Sequence, residues 1–365
     1  MQSIYNQLIY FAFFQCVLLL MVYVFSSKRR KLVNNYLIVL IIAILLGLIG
    51  KTLHIQGYFG QDFRLIAFSE LAGLLFGTTI YLFTRTSFLG KNYKTADLVH
   101  YIPALSYTVF VVFYFMLPSN LAMKDRMLSG ESDRIIYLFH AMGLIVNTTY
   151  WFISFRGLLL FRKKLKNELS YSVKDSFFYN LHIVVGICLF VWSIIYVISL
   201  FGPIMIERDF RTVVWLIMSF IVLFIAYYSM ISPDIYKRKP LNIVKKYNQS
   251  KYSNDDLDRL KTQLDAVMQD KKPYLNNKLL KAELSEMIGI SNPEMARLLN
   301  ERIGMNFFEY VNYYRIKEFI EVAKVKKDDL TLFGIAQEVG FNSKATFIKS
   351  FKNLMGTTPS QYFNN

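Results

Sequence analysis

Seven apolar stretches fill the first 232 of 365 residues, at roughly 4–25, 32–50, 65–83, 98–117, 135–160, 178–201 and 212–232. About 20 consecutive apolar residues cross the hydrocarbon core of a bilayer as one helix, so stretches of this length with few charges predict membrane spans. A hydrophobic content of 54%, with 32 Phe and 25 Tyr, points the same way. The opening stretch, Ile4 to Phe25, exceeds a signal-peptide core in length. With no basic residue before it and no small-residue cleavage site, it is expected to be a retained first span.

Charge sets the orientation of such a bundle. With the N-terminus outside, the inward segments carry 18 basic residues: Lys28 to Lys31, Arg85, Lys91, Lys94, Arg156, Arg162 to Lys164, Lys166, Lys174, Lys237 to Lys239, Lys245 and Lys246. The outward loops carry 7: Lys51, Arg64, Lys124, Arg126, Arg134, Arg208 and Arg211. That asymmetry predicts N-terminus out and C-terminus in, with the chain in a bacterial cytoplasmic membrane. It also accounts for most of the net charge of +16, since residues 1–232 contribute +10 and residues 233–365 only +6. Cys16 and Cys188 both lie inside apolar runs, which argues for free buried thiols rather than a disulfide.

After Ser232-Pro233 and the basic collar Lys237 to Lys239, a helix is expected, capped by Ser253 or Asn254 with Asp255, Asp256 and Asp258 in its first turn. Its apolar positions Leu257, Leu260, Leu264 and Val267 follow heptad spacing. Two readings fit so short a stripe: a seam pairing two chains as a homodimer, or a face resting on the domain that follows.

From about Tyr274 to Phe363 one pattern occurs twice. Leu284, Ser285, Ile288, Gly289 and Ile290 recur as Ile335, Ala336, Val339, Gly340 and Phe341, offset by 51 positions. The small residue suits a close helix crossing, and the Gly permits the left-handed turn that ends the first helix. A polar cap then opens the next helix, at Ser291 or Asn292 before Pro293 and at Asn342 or Ser343 before Lys344. This is the pattern of a helix-turn-helix, whose second helix is available to a DNA major groove. Asn306 with Glu309, and Thr358 with Gln361, add capping boxes.

The segment resembles the C-terminal DNA-binding domain of the AraC/XylS family of bacterial transcription regulators. The resemblance rests on Asn306-Phe307-Phe308-Glu309-Tyr310-Val311-Asn312 with Tyr314-Arg315-Ile316. It rests equally on Ile335-Ala336-Gln337-Glu338-Val339-Gly340-Phe341-Asn342-Ser343, on Phe347 and Phe351-Lys352, and on Gly356-Thr357-Thr358-Pro359-Ser360-Gln361-Tyr362. It covers roughly the last quarter of the chain. It implies seven helices, with two helix-turn-helix units joined by a rigid helix from about Phe307 to Ala323. The family's base-contacting positions fall on Pro293 and Arg297 in the first unit, and on Lys344, Ala345 and Lys349 in the second.

Read from the residues, the first recognition face offers Asn292, Pro293, Glu294 and Arg297, and the second offers Lys344, Ala345, Ile348 and Lys349, with Ser343 before it and Lys352 beyond as further DNA-binding candidates. Glu294 and Glu301 leave the first helix near-neutral, whereas Val339 to Asn365 hold three Lys and no acid. The second unit is therefore expected to supply more phosphate attraction, and the first to act mainly through Arg297. Arg315 is expected to be a structural ion-pair partner rather than a DNA contact.

In the apolar part, Glu70 is the acid well inside a predicted span, a candidate signal site because burying its charge is costly. His140 and Asn147 lie seven positions apart on one helical face and join it as candidates. His54, His100 and His182 fall near predicted span ends, and four scattered His without a carboxylate cluster do not make a metal site. The chain carries no phosphate-binding Gly-rich loop, no HExxH motif and no nucleophile–base arrangement, so neither an enzyme nor a cofactor is indicated. The expected fold is all-α: a seven-span region over 1–232, a connector over 233–272 and a DNA-binding domain over 273–365. The expected function is a membrane-anchored transcription regulator whose partners are double-stranded DNA, membrane lipid and a signal ligand or membrane partner. A transporter or other integral membrane protein with an appended helix-turn-helix tail is the competing class. It would show polar groups converging at mid-bilayer or broken helices in repeated halves.

Overall fold

The computed structural model describes residues 2–25, 35–56, 71–87, 94–171, 176–201, 217, 220–228 and 253–364. Among these residues the chain is all-α: nearly all are helical, and the β pairing present is a single bridge between Leu169 and Leu280. The chain divides into two compact units, Met1–Leu158 with Asp175–Leu241, and Leu159–Lys174 with Asn242–Asn365.

The first unit contains α1 (Gln2–Phe25), α2 (Asn35–Ile55), α3 (Leu71–Ser87), α4 (Thr95–Met116), α5 (Asn120–Leu128), most of α6 (Glu131–Glu168) and α7 (Ser176–Phe201). Five of them, α1, α2, α4, α6 and α7, are long and apolar enough to cross a membrane. They coincide with five of the seven apolar stretches. The third stretch is helical from Leu71 onward, and the seventh is helical over 220–228. Glu70 and the basic collar Lys237 to Lys239 lie outside the described residues.

These helices bury one side and expose large apolar groups on the other. Leu74 of α3, Tyr107 and Phe115 of α4, Met123 of α5 and Ile136 of α6 share one core. Phe14, Phe113, Ile145 and Phe190 point outward from α1, α4, α6 and α7, each about two-thirds exposed. A helix apolar on every face suits an apolar surrounding rather than water. Asn147 joins α6 to α3: its Nδ2 donates to Gly73 O at 2.6 Å and Gly143 O at 2.7 Å, and its Oδ1 accepts from Gly77 N at 2.7 Å. A Cβ on Gly77 would meet that Oδ1 at 2.6 Å, so the close crossing requires glycine there.

The second unit holds α8 (Asn254–Asp270), α9 (Lys281–Met287), α10 (Asn292–Arg297, continuing as a wider turn over Leu298–Ile303), α11 (Phe307–Lys326), α12 (Leu332–Glu338), α13 (Lys344–Met355) and α14 (Pro359–Asn364). It has two apolar cores, and α11 feeds both. Phe307, Tyr310 and Val311 enter the first, while Ile316, Phe319 and Ala323 enter the second. The two helix-turn-helix units are thus built on one shared helix, started by the reciprocal Asn306–Glu309 capping box.

The heptad stripe on α8 has an occupant within the chain. Leu257, Leu260 and Leu264, joined by Met268, are buried in the first tail core, with Val267 packed against it. Asp265 accepts hydrogen bonds from Tyr310 Oη at 3.1 Å and Tyr314 Oη at 2.8 Å, which fixes the register of α8 on α11. Of the two readings of the stripe at Leu257, Leu260, Leu264 and Val267, this burial fits the face resting on the domain that follows rather than a homodimer seam. Burial in that core, among residues of α10's extension and α11, occupies the face at about 1.5–3 kcal/mol per fully buried leucine.

Candidate nucleic-acid interface

The sequence repeat becomes a repeat in hydrogen bonding. In the first turn, Gly289 N donates to Glu286 O at 3.1 Å and Ile290 N to Ser285 O at 3.0 Å. In the second, Gly340 N donates to Gln337 O at 3.1 Å and Phe341 N to Ala336 O at 2.9 Å. Both glycines have positive φ, +74° and +100°. This is the pairing that closes a helix C-terminus over a left-handed residue, with the following apolar side chain packed beneath. Ile290 and Phe341 fill that place and are buried.

Beyond each turn the second helix is capped by serine. Ser291 Oγ accepts from Glu294 N at 3.4 Å, Glu294 Oε2 accepts from Ser291 N at 2.8 Å, and Ser343 Oγ accepts from Thr346 N at 3.5 Å. On α13, Phe347 and Phe351 turn into the core. Lys344, Ala345, Lys349 and Lys352 stand on the exposed side, with Ser343 half-buried at its start. The three lysines make no ion pair within the described residues, so their charge is available to an anionic partner.

The first recognition helix is arranged differently. Asn292, Pro293, Glu294 and Arg297 are all half-buried. Asn292 Oδ1 accepts from Ser285 Oγ at 3.1 Å, Glu294 is committed to its capping box, and Arg297 Nε donates to Glu301 Oε2 at 2.7 Å. Each polar side chain on this face thus has a partner in the protein, and the acid Glu301 that takes Arg297 also helps to make the helix near-neutral.

Among the described residues Arg315 pairs with no carboxylate, where the sequence leads to the expectation of an ion pair. It is 1% exposed, its Nε donates to Tyr274 O at 2.8 Å, and its guanidinium lies 5.8 Å from the centre of the Phe341 ring. Burial pulls its pKa down to about 10, so it remains a cation at neutral pH. No sequence signal marks this role, because most partners of this arginine are backbone oxygens distant in sequence.

Of the candidates in the apolar unit, His140 and Asn147 are both buried on α6. His140 lies edge-on to Trp192 at 6.4 Å, and the Asn147 amide is fully engaged by backbone of α3 and α6. His182, placed near a span end by the sequence, is buried between Ser154 Oγ and Phe178 O, each at 2.7 Å. Among the described residues no cluster of His, Cys, Asp or Glu could hold a metal, and Cys16 and Cys188 are free and buried.

Residues 284–365 match the family model described as a helix-turn-helix domain. The chain is similar to uncharacterized HTH-type transcriptional regulators, among them one from Staphylococcus aureus (strain COL), 34% identical over 91 residues. That match covers 24% of this chain and 12% of the relative. A Haemophilus influenzae regulator is 31% identical over 104 residues, covering 28% of this chain and 33% of its own length. The chain thus spans about an eighth of the staphylococcal relatives and a third of the Haemophilus one. No solved structure matches the chain.

Proposed function

We propose that this chain is a membrane-anchored transcription regulator that binds double-stranded DNA sequence-specifically through its two helix-turn-helix units. The observation that carries the reading is the doubled glycine turn, closed by matching hydrogen bonds, with Lys344, Lys349 and Lys352 exposed on the second recognition helix and unpaired among the described residues. The apolar helices anchor the chain in a bacterial cytoplasmic membrane, with the N-terminus outside and the tail in the cytoplasm. They respond there to a signal ligand or membrane partner, for which Glu70, His140 and Asn147 are the candidate residues. The reading involves neither enzymatic chemistry nor a cofactor.

The two units have unequal parts in this function. α13 supplies electrostatic attraction and base contacts through Lys344, Ala345 and Lys349. α10 contributes shape and whatever Arg297 offers once Glu301 releases it. Titration of operator binding against salt separates these roles. Lys349→Ala lowers the slope of log affinity against log salt by about one if the residue neutralises a phosphate. Arg297→Ala leaves the slope nearly unchanged, because Glu301 already offsets its charge in the free protein. Slopes equal to wild type in both Lys344→Ala and Lys349→Ala would count against α13 as the DNA-facing helix.

A further inference from the structure

A short segment from far upstream is built into the tail unit. Glu168, Leu169 and Ser170 close α6, and 113 and 145 positions separate this segment's contacts from their partners Lys281 and Arg315. Ser170 is fully buried, and both its N–H and its Oγ donate to Leu279 O, at 3.3 and 2.8 Å. Leu169 makes the bridge pairing with Leu280, and Glu168 Oε1 accepts from Lys281 Nζ at 2.8 Å. Lys281 is itself almost wholly buried.

Arg315 completes the attachment. Nη1 donates to Ser170 O at 2.7 Å and Asn312 Oδ1 at 3.2 Å, and Nη2 donates to Ser170 Oγ at 3.2 Å and Asn276 O at 2.7 Å. With the Nε bond to Tyr274 O, all five guanidinium N–H groups are used, and two of them end on Ser170. The other side of the same group faces the second turn, where a Cβ on Gly340 would lie 2.9 Å from Arg315 Nε and 2.4 Å from Tyr274 O. One buried cation therefore ties the segment to the start of the first helix-turn-helix and to the turn of the second.

We propose that Glu168-Leu169-Ser170 is a docking clip through which α6 sets the spacing of the two helix-turn-helix units, and with it DNA affinity. The proposal rests on the DNA-binding reading of the tail. Withdrawal of Ser170 strips two partners from a buried cation, and an unsatisfied charged donor in an apolar setting forces rearrangement. The groups that then move are the ones against which the Gly340 turn is packed. Two recognition helices on one duplex must stay in register with its groove, whose repeat is ~34 Å, so the docked clip is the DNA-competent form. α6 runs from Glu131 to Glu168, so the clip directly continues its C-terminal end.

The test uses the full-length chain in lipid nanodiscs, with a duplex recovered from its own genomic occupancy map. Glu168→Lys sets two ammonium groups together at the clip and is expected to weaken binding about tenfold, while the charge exchange Glu168→Lys/Lys281→Glu recovers to within about threefold of wild type. A Leu169→Cys/Leu280→Cys pair is expected to cross-link on oxidation and then to bind as wild type does. Single and exchanged variants behaving alike, whether both as wild type or both weakened, would overturn the clip, as would a cysteine pair that fails to cross-link. A wild-type chain that binds no duplex better than its Lys344→Ala/Lys349→Ala variant overturns the DNA-binding reading itself, and the clip with it.

Discussion

Gly289 and Gly340 occupy equivalent turns, yet their surroundings make them unequal. Both require positive φ, but nothing lies within 4 Å of a Cβ added at Gly289, whereas one at Gly340 meets two carbonyl oxygens and Arg315 Nε. Gly289→Ala is expected to cost ~1 kcal/mol, the conformational penalty alone. Gly340→Ala is expected to cost ~2–4 kcal/mol, since the backbone atoms it meets cannot swing aside. Hydrogen exchange of tail amides in the solubilised full chain measures both, and equal costs would mean that the Gly340 packing is looser than described. At this scale the sequence was a good guide wherever a side chain closes a local ring: the expected Asn306–Glu309 and Thr358–Gln361 boxes both form between residues three apart. It was silent on Arg315, most of whose partners are backbone carbonyls brought together only by the fold.

Among the elements, α8 shows what periodicity can and cannot say. Spacing at Leu257, Leu260 and Leu264 marks a face that must be covered, but not what covers it, and the stripe is satisfied by α11 and α10 rather than by a second chain. Leu264→Ala should therefore destabilise the tail by ~2–5 kcal/mol, read as a lowered denaturation midpoint that does not depend on protein concentration. A concentration-dependent loss would restore the dimer seam. The same junction predicts an alkaline limit. Burial first, with the Asp265 carboxylate adding to it, pushes the Tyr314 hydroxyl up to about 12 from its ordinary value of 10.0, and burial raises Tyr310 as well. A folded-state pKa above the unfolded one means the folded chain holds its proton longer. The associated stability is complete below the unfolded value and is lost as pH rises through the folded one. The tail is thus expected to keep its stability up to about pH 10 and to lose it above, with near-ultraviolet circular dichroism collapsing as tyrosinate absorbance grows. Tyrosinate forming with the dichroism intact would show that the α8–α11 contact does not depend on these hydroxyls.

For the whole molecule, the apolar stretches and the doubled turn made a part rich in long apolar helices and a helical tail legible, because each is a local pattern repeated along the chain. The membership of residues 159–174 in the tail unit was not legible, since it depends on contacts such as Ser170 with Arg315 that no periodicity announces. On the proposed reading, a chain held in the membrane carries a DNA-binding tail on the cytoplasmic side. The most direct measurement cross-links cells expressing the tagged full-length chain, isolates the membrane fraction, and sequences the DNA recovered with the protein. The account predicts discrete enriched sites in that fraction which disappear when Lys344 and Lys349 are replaced by alanine. Recovery of DNA no different from the substituted chain, or of the tagged protein wholly outside the membrane fraction, would contradict it.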